Sequence, residues 1–300
     1  MRHIEYKDAL VSIEAKPAFD LYQLLINRVQ PAKGVVIPQH TDEVAFFKTQ
    51  PIAATTEFER NRGRVNESLA KLVAFLWDHY SLPRDGIIEY GSGATGYFYA
   101  ELRPKDVKNW LQVEINSNAI AENLRRNPTA QIVEGSYYNI PYTMVPMIAG
   151  LSSFDTASDM PRAIDQVVNA LASGGFFLQI QDVRPGIHCV TSHLHALGKF
   201  PESAFEINGT VMGFLVDGKP VTLVDIFKAS IGTAICNNPN IELVTNHYHT
   251  LSEKREVGYE AYFLNLHLFD PTSPAKRRDT TFLVTLARKK STQTPHPPSQ

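Results

Sequence analysis

Residues 87–96 read Ile-Ile-Glu-Tyr-Gly-Ser-Gly-Ala-Thr-Gly, and this stretch decides the fold. An apolar run ends in an acid, passes into a turn with three glycines and continues into the apolar segment Tyr97–Leu102. This order predicts a strand, a tight loop and a helix. Glycine adopts backbone angles that a Cβ disfavours and lets a ligand lie against the main chain, and the first N–H groups of a helix are available to bind it. The stretch therefore indicates a site for a nucleotide-like cofactor.

A second apolar run, Trp110–Glu114, also ends in an acid. Glu114 follows the first glycine, Gly91, at close to the spacing of about 20 residues at which an acid on the next strand reaches ribose hydroxyls. A carboxylate suits this position because it accepts hydrogen bonds from both hydroxyls of a diol. The alternative is that Glu114 is a solvated acid at the end of a strand.

Three later segments continue the alternation of strands and helices: Gln131–Tyr142, Ser153–Asp159 and Ala170–Asp182. Such alternation predicts a parallel sheet with right-handed crossovers. Ligands of these sheets bind beyond the carboxyl ends of the strands. Four polar side chains are expected at those ends: Glu89, Glu114, Ser136 and Asp159.

Residues 86–183 resemble class I S-adenosylmethionine-dependent methyltransferases, because these motifs follow one another in the order of that family. There the first strand ends acid-x-Gly-x-Gly, the second ends in an acid and the third leads into a Gly-Asp-x-x-x-Leu-Pro-Phe-like segment. The fourth starts Phe-Asp, and the fifth follows a Pro-Gly-Gly-like turn. The resemblance implies an α/β fold with a Rossmann-like, mostly parallel seven-stranded sheet and an antiparallel edge hairpin. It also implies S-adenosylmethionine as the cofactor and S-adenosylhomocysteine as the product.

Two positions depart from the family pattern and keep other functions open. Gly96 falls one place later than the family's third glycine, so the loop alone fits an NAD(P)-dependent oxidoreductase equally well. Ser136 stands where the family often has an aspartate that contacts adenine. Glu89 favours the methyltransferase, because an acid two places before the first glycine is usual there and unusual in dinucleotide enzymes. A catalytically silent methyltransferase-like binding protein is the third alternative.

The resemblance implies cofactor contacts around the glycine loop and the neighbouring strand ends. Glu89 is expected near the methionine amino group and Glu114 at the ribose, while Gly135, Ser136 and Tyr137 flank the adenine. Arg62 or Arg64 is a candidate for the methionine carboxylate, with a solvated basic surface as the alternative. The expected cofactor-binding residues are Glu89, Gly91, Ser92, Gly93, Gly96, Glu114, Ile115, Gly135, Ser136, Tyr137, Ser158 and Arg64.

The candidates for catalysis follow the fourth and fifth strands. His188 and His193 are candidate general bases, because histidine titrates near working pH. A structural or solvated role is the main alternative for both, and His193-x-His195 alone supplies too few ligands for a metal. Asp159 is expected either to contact the acceptor or to cap the helix that follows. No metal is expected.

Composition sets limits on the partners. The 300 residues carry 29 Lys and Arg against 31 Asp and Glu, for a formal net charge of −2. This balance gives no general attraction to nucleic acid, and no apolar run has the length of a membrane span. The two cysteines match neither a zinc signature nor a disulfide framework. A cytoplasmic protein with no nucleic-acid or membrane partner is therefore expected.

The chain divides into five predicted segments. They are an N-terminal helical cap and flap (1–80), the cofactor-binding core (81–183), a lid insertion (184–220), a C-terminal helix with closing strands (221–290) and a disordered tail (291–300). Within the first segment, helical apolar spacing predicts helices at Phe19–Val29 and Val65–Tyr80, and Gly34–Gly63 is the candidate flap over the site. In the lid, Asp217-Gly218 predicts a hairpin turn.

The substrate class follows from the residues after the fourth strand. Ser158-Asp-Met-Pro161 stands where the family's base-modifying enzymes have an Asn-Pro-Pro-Tyr-like motif. The expected function is thus methyl transfer to an oxygen, nitrogen or carbon atom of a small-molecule acceptor, in specialised metabolism.

Overall fold

The structure is a computed structural model of the 300-residue chain. It describes residues 2–6, 9–16, 30–31, 43–49, 63–96, 99, 108–182, 190–207, 210–254 and 277–291.

A nine-stranded sheet forms the centre of the molecule, in the order β1-β2-β12-β13-β8-β7-β4-β5-β6. Its strands are β1 (Arg2–Tyr6), β2 (Ala9–Lys16), β4 (Asp85–Tyr90), β5 (Lys108–Glu114), β6 (Gln131–Glu134), β7 (Val145–Leu151), β8 (Leu171–Asp182), β12 (Ile241–Lys254) and β13 (Arg277–Lys289). The five strands from β8 to β6 are parallel, and β13 is antiparallel to both β8 and β12. The predicted Rossmann-like, mostly parallel seven-stranded sheet with antiparallel edge strands is confirmed.

The N-terminal hairpin adds two strands that the sequence prediction did not include. β1 pairs with β2, and β2 pairs with β12, in both cases antiparallel. The first 80 residues therefore contribute strands as well as helices. The helix predicted at Phe19–Val29 lies outside the described residues, whereas that at Val65–Tyr80 is confirmed as Gly63–His79.

Six α-helices are described, and capping residues fix where several of them begin. The helices are α1 (Glu43–Lys48), α2 (Gly63–His79), α3 (Ser117–Arg126), α4 (Met160–Ala170), α5 (Val190–Ala196) and α6 (Leu223–Asn237). Asn116 accepts hydrogen bonds from the backbone N–H groups of Asn118 and Ala119 at the start of α3. Thr222 caps α6 in the same way. Such caps satisfy N–H groups that the helix leaves unpaired.

Two apolar cores cover the two faces of the sheet, because successive strand residues point to opposite sides. Ile88, Tyr90 and Phe177 lie in the core beneath α4 and α6. Ile87 and Leu178 lie in the opposite core, where α2 buries its apolar stripe. Each residue of β4 and β8 can therefore be assigned to one face.

A second, smaller sheet, in the order β11-β10-β9-β3, combines strands of the predicted lid with one short strand from the N-terminal segment. Its strands are β3 (Gln30–Pro31), β9 (Ser203–Ile207), β10 (Thr210–Val216) and β11 (Lys219–Thr222). Asp217 and Gly218 connect β10 to β11 with positive φ angles of 53° and 69°, which confirms the predicted hairpin turn. Part of the predicted closing segment, residues 255–276, and the tail from residue 292 lie outside the described residues.

Candidate functional site

The crevice at the carboxyl ends of β4 and β7 is the candidate site. The chain runs outward from β4 through β5 to β6, returns to the other side of β4 as β7 and continues to β8. Neighbouring strands that lead away in opposite directions leave a crevice between them, and ligands of open α/β sheets bind there. The glycine loop follows β4 directly and so borders this crevice.

Left-handed backbone angles and close packing explain the glycines of the loop. Gly91, Gly93 and Gly96 have φ angles of 69°, 63° and 55°, which residues with a Cβ rarely adopt. A Cβ on Gly91 would lie 2.6 Å from Ser153 Cβ, and one on Gly96 would lie 2.6 Å from Asn123 Oδ1. The loop therefore packs closely against α3 and against the turn at the end of β7.

Glu114 joins the end of β5 to the glycine loop. Its carboxylate accepts hydrogen bonds from the backbone N–H groups of Gly93 at 2.8 Å, Ile115 at 2.8 Å and Asn116 at 3.0 Å. The structure thus brings together Gly93, Glu114 and Ile115 as the sequence predicts. Since a carboxylate offers about four acceptor positions, these three bonds leave room for a ligand hydroxyl.

Glu89 lies on the opposite face of the sheet from the crevice residues of β7 and β8. Trp110 Nε1 and Gln112 Nε2 donate to its Oε2 at 2.9 and 3.2 Å. Burial raises the pKa of the Glu89 carboxyl to about 7, against the opposing effect of the hydrogen bonds from Gln112 and Trp110. A half-neutral carboxyl group with both donors inside the protein does not support the expected contact with a methionine amino group.

Three side-chain amides that the sequence prediction missed hold the glycine loop from below. Asn123 Nδ2 donates to Gly93 O at 3.0 Å, and Asn127 Nδ2 donates to Thr95 O at 2.8 Å. Gln112 Oε1 accepts from Asn123 Nδ2 at 3.3 Å. The available signal was weak: Asn123 stands four residues before Asn127, on the face of α3 that turns toward the loop.

The flap reaches the site through α1. Asn116 Nδ2 donates to Phe47 O at 3.0 Å, and Lys48 forms an ion pair with Glu134 at 2.8 Å. Asn116 and Glu134 lie at or just beyond the carboxyl ends of β5 and β6. The described part of the flap therefore lies over this edge of the sheet. Arg64 belongs to α2, and its side chain is outside the described residues.

The turn after β6 is held by its own polar groups. Ser136 Oγ accepts from the backbone N–H of Tyr138 at 3.2 Å, so this hydroxyl supports the turn. Gly135 packs closely, since a Cβ there would lie 2.8 Å from Val113 Cγ1. Tyr137 shares a hydrogen bond with Thr156 at 3.0 Å. The predicted adenine-flanking residues Gly135, Ser136 and Tyr137 thus form one ordered wall beside Glu114.

The polar residues after β7 lie near that wall. Ser158 Oγ is 3.5 Å from the hydroxyl of Tyr138. Asp159 is exposed and caps α4, where it accepts from the backbone N–H of Arg162 at 3.1 Å. The capping alternative for Asp159 is therefore the one that the structure supports.

His193 is a structural residue, which corrects the prediction of a general base. It is buried, and its Nε2–H donates to Asp155 O at 3.0 Å. A carbonyl oxygen only accepts, so Nδ1 lacks a proton and accepts from the Ser230 hydroxyl at 2.9 Å. With both ring nitrogens engaged, no lone pair remains for a substrate proton. His188, the other candidate base, lies outside the described residues.

Within the described ranges, no group of three or more His, Cys, Asp or Glu side chains is placed to hold a metal ion. In the same part of the chain, no helix combines the length and the apolar character needed to cross a bilayer.

No family model matches the chain, and no curated protein matches it. Solved structures show a distant likeness. The chain is 11% identical to an S-adenosylmethionine-dependent methyltransferase from Clostridium acetobutylicum, with a TM-score of 0.44 over 80% of this chain and 100% of that one. A TehB-like S-adenosylmethionine-dependent methyltransferase from Corynebacterium glutamicum is 16% identical, with a TM-score of 0.42 over 80% and 98%.

A candidate S-adenosyl-L-methionine-dependent methyltransferase from Methanococcus maripaludis is 17% identical, with a TM-score of 0.40. This match covers 44% of the chain, which spans 64% of that protein. Similarity at this level does not indicate an activity.

Proposed function

We propose that the protein is an S-adenosylmethionine-dependent methyltransferase that acts on a small-molecule acceptor. The observation that carries this proposal is the Glu114 carboxylate, which lies beside the crevice of the sheet and is hydrogen-bonded to the glycine loop through Gly93. The strand order supports it as well, because β13 is inserted antiparallel between β8 and β12, the edge arrangement expected from the resemblance.

The residues of the crevice fit the adenosine part of this cofactor. Glu114 keeps acceptor capacity for a ribose hydroxyl, and the ordered wall of Gly135, Ser136 and Tyr137 stands next to it. Ser92 Oγ, in the glycine loop, is buried without a hydrogen-bond partner among the described residues. A buried hydroxyl without a partner is costly, so a ligand atom that pairs with Ser92 would stabilise the loop.

The chain's own contribution to catalysis is to bind, orient and exclude water. The cofactor supplies an electrophilic methyl group when it is bound. Reaction then requires the acceptor atom in line with that methyl group at about 3–3.5 Å, and such positioning accounts for much of the rate of a displacement. The glycine loop, Glu114 and the flap helix α1 fix one side of the crevice. The described residues assign no general base, since His193 is fully engaged.

The lid supports a small acceptor. Its strands and α5 share a small apolar core with the start of α6, which includes Leu194, Phe214 and Leu223. This compact unit joins β8 to α6 in the chain and so belongs to the β7–β8 side of the crevice. Because a ligand buried in such a site is enclosed on most sides, this arrangement favours a small molecule over a polymer. The cytoplasmic location remains a prediction.

Binding of S-adenosylhomocysteine and of NAD, each titrated by calorimetry, tests the proposal. We expect S-adenosylhomocysteine to bind and Glu114→Gln to weaken this binding by about 10-fold to 100-fold, since hydrogen bonds to charged groups contribute about 1.5–3 kcal/mol. The matched control is Glu122→Gln, which should bind as the wild type does. Glu122 lies on α3 and is paired with Arg125 and Arg126 at the surface.

Two results would contradict the proposal. Binding of NAD in place of S-adenosylhomocysteine would identify an oxidoreductase, and binding of neither would identify a silent binding protein. Mass spectrometry of candidate metabolites, incubated with methyl-labelled cofactor, then identifies the acceptor.

A further inference from the structure

Two buried side chains meet in the crevice between β4 and β7 on the face opposite Glu89. Gln179 comes from β8 and Ser153 from the turn that follows β7. Gln179 is 0% exposed and Ser153 is 8% exposed. Neither Gln179 Oε1 nor Ser153 Oγ has a hydrogen-bond partner within the described part of the chain. Buried polar atoms are nearly always paired in folded proteins, so these two oxygens require an explanation.

Gly150 makes the approach of the two oxygens possible. It is the register partner of Gln179 on β8 and of Tyr90 on β4. A Cβ on Gly150 would collide with both Gln179 Oε1 and Ser153 Oγ, the latter at 2.5 Å. The Gln179 side chain therefore extends across β7 toward β4, over a glycine that leaves it the space.

Ser153, one of these two residues, also packs against the first glycine of the loop. A Cβ on Gly91 would lie 2.6 Å from Ser153 Cβ and 3.6 Å from Ser153 Oγ. Gln179 Nε2 is directed elsewhere, since it makes long contacts of 3.4 Å with Ile180 O and Gln181 Oε1. Gln179 thus presents its acceptor oxygen to the crevice, and the Ser153 hydroxyl beside it has lone pairs that can accept as well.

A ligand group with several N–H donors and a positive charge complements this pair. An ammonium group has three donors and no acceptor, and a hydrogen bond with one charged partner is about twice as strong as a neutral one. Glu89 cannot fill this role, because its carboxyl group bonds Trp110 and Gln112 on the other face and stays partly protonated at neutral pH.

We infer that Gln179 Oε1 and Ser153 Oγ bind the amino group of the cofactor's amino-acid part, in place of the acid at position 89. This inference rests on the proposed function, because it assigns a contact within the same cofactor site. The chain thereby holds the ammonium group with neutral acceptors. Glu89, on β4, remains a buried group of the core.

The test compares two ligands that differ only in this amino group: S-adenosylhomocysteine and its analogue without the amine. The variants are Gln179→Met and Ser153→Ala, and Ser153→Ala keeps the Cβ that packs on Gly91. We expect each variant to weaken binding of S-adenosylhomocysteine by about 10-fold to 100-fold and to leave binding of the deaminated analogue unchanged. The wild type should prefer the ligand with the amine, and the variants should lose this preference.

Thr285→Val is the matched control. Thr285 is the register partner of Gln179 on β13 and equally buried, but its hydroxyl donates to Asn246 at 3.0 Å, away from the crevice. It should keep the wild-type preference for the amine.

Three results would overturn the inference. Equal losses for both ligands would show that Gln179 and Ser153 only support the fold, and unchanged affinity for both would show that they do not touch the amine. A wild type that binds neither ligand would refute the proposed function itself, and the inference with it. Thermal unfolding of each variant identifies the first of these cases. Should Gln179→Met fail to fold, the result for Ser153→Ala decides the question.

Discussion

Glu89 shows how a single residue links the core to the pH dependence of stability. Its pKa rises from 4.5 to about 7 because burial disfavours the charged carboxylate. Below pH 4.5 both the folded and the unfolded chain hold the proton, and the group costs nothing. As the pH rises from 4.5 to 7, the unfolded chain releases the proton first, so the folded state loses stability.

Glu89→Gln is expected to remove this loss while keeping an acceptor for Trp110 and Gln112. At one pKa unit per 1.36 kcal/mol, the variant should exceed the wild type in free energy of unfolding by up to roughly 3 kcal/mol above pH 7. The difference should shrink toward pH 4.5. Urea unfolding at several pH values measures it, and parallel curves for the two proteins would contradict the shifted pKa.

His249 changes the stability with pH in the opposite direction from Glu89. It is buried on β12, and desolvation lowers its pKa to about 4, although a backbone hydrogen bond from the ring to His247 O at 3.2 Å acts in the other direction. The unfolded chain takes up the proton near pH 6.5, so stability falls between pH 6.5 and 4 and is fully retained above that range.

His249→Gln should therefore flatten the acid side of the stability profile, by about 3 kcal/mol in total at 1.36 kcal/mol per unit. Val244→Gln, at an exposed position of the same strand, is the control and should keep the wild-type slope. Acid-induced unfolding followed by circular dichroism makes the comparison. An unchanged slope in His249→Gln would show that His249 does not titrate in this range.

Among single residues, the sequence could indicate those whose role is local. The glycines of the loop follow from a turn between a strand and a helix, and Glu114 follows from its place at the next strand end. Gln179 and Asn123 could not be found in this way, because their roles depend on which strand or loop lies beside them. The partners of Glu89 could not be found in this way either, since the face of the sheet on which Trp110 and Gln112 meet its carboxyl group is fixed by packing rather than by the motif.

At the scale of elements, α3 and its C-cap residue support the glycine loop through two side-chain amides. Asn123 binds Gly93 O, and Asn127 binds Thr95 O. Removing either amide leaves a loop carbonyl without its donor, which costs about 1–3 kcal/mol where the carbonyl is buried.

Asn123→Ala should thus loosen the loop and lower the affinity for S-adenosylhomocysteine, with faster hydrogen exchange at the amides of residues 91–96. Asn118→Ala, on the exposed first turn of the same helix, controls for the loss of an amide. If Asn123→Ala exchanged at the wild-type rate, the loop would hold its shape without α3.

Helices and turns were the elements that the sequence described best. The periodicity of Val65–Tyr80 and the Asp217-Gly218 turn both appear where they were expected, since each depends on residues close in the chain. The N-terminal hairpin was missed because its pairing partner, β12, lies more than two hundred residues away and leaves no local signal in residues 2–16.

At the scale of the whole molecule, His193 joins α5 to the core of the large sheet. It belongs to α5, yet its ring bonds Ser230 on α6 and Asp155 O beyond β7. Three parts of the chain thus meet at one buried imidazole.

His193→Phe should lower the free energy of unfolding by about 2–6 kcal/mol, because two buried partners lose their hydrogen bonds at about 1–3 kcal/mol each. Affinity for S-adenosylhomocysteine should change little at a temperature where the variant is folded. His195→Phe, at an exposed position of the same helix, is the control. A stable His193→Phe protein that binds cofactor but transfers no methyl group would restore the general-base role.

The position of β13 has a consequence for how the chain is made. β8 and β12 are both synthesised before the strand that separates them, so the nascent sheet holds two incomplete halves with unpaired edges. Open edges are templates for pairing with other chains, and long-range pairing slows folding. A chaperone that shields strand edges until residues 277–289 have emerged should therefore raise the yield of this protein more than it raises that of a sheet built in chain order.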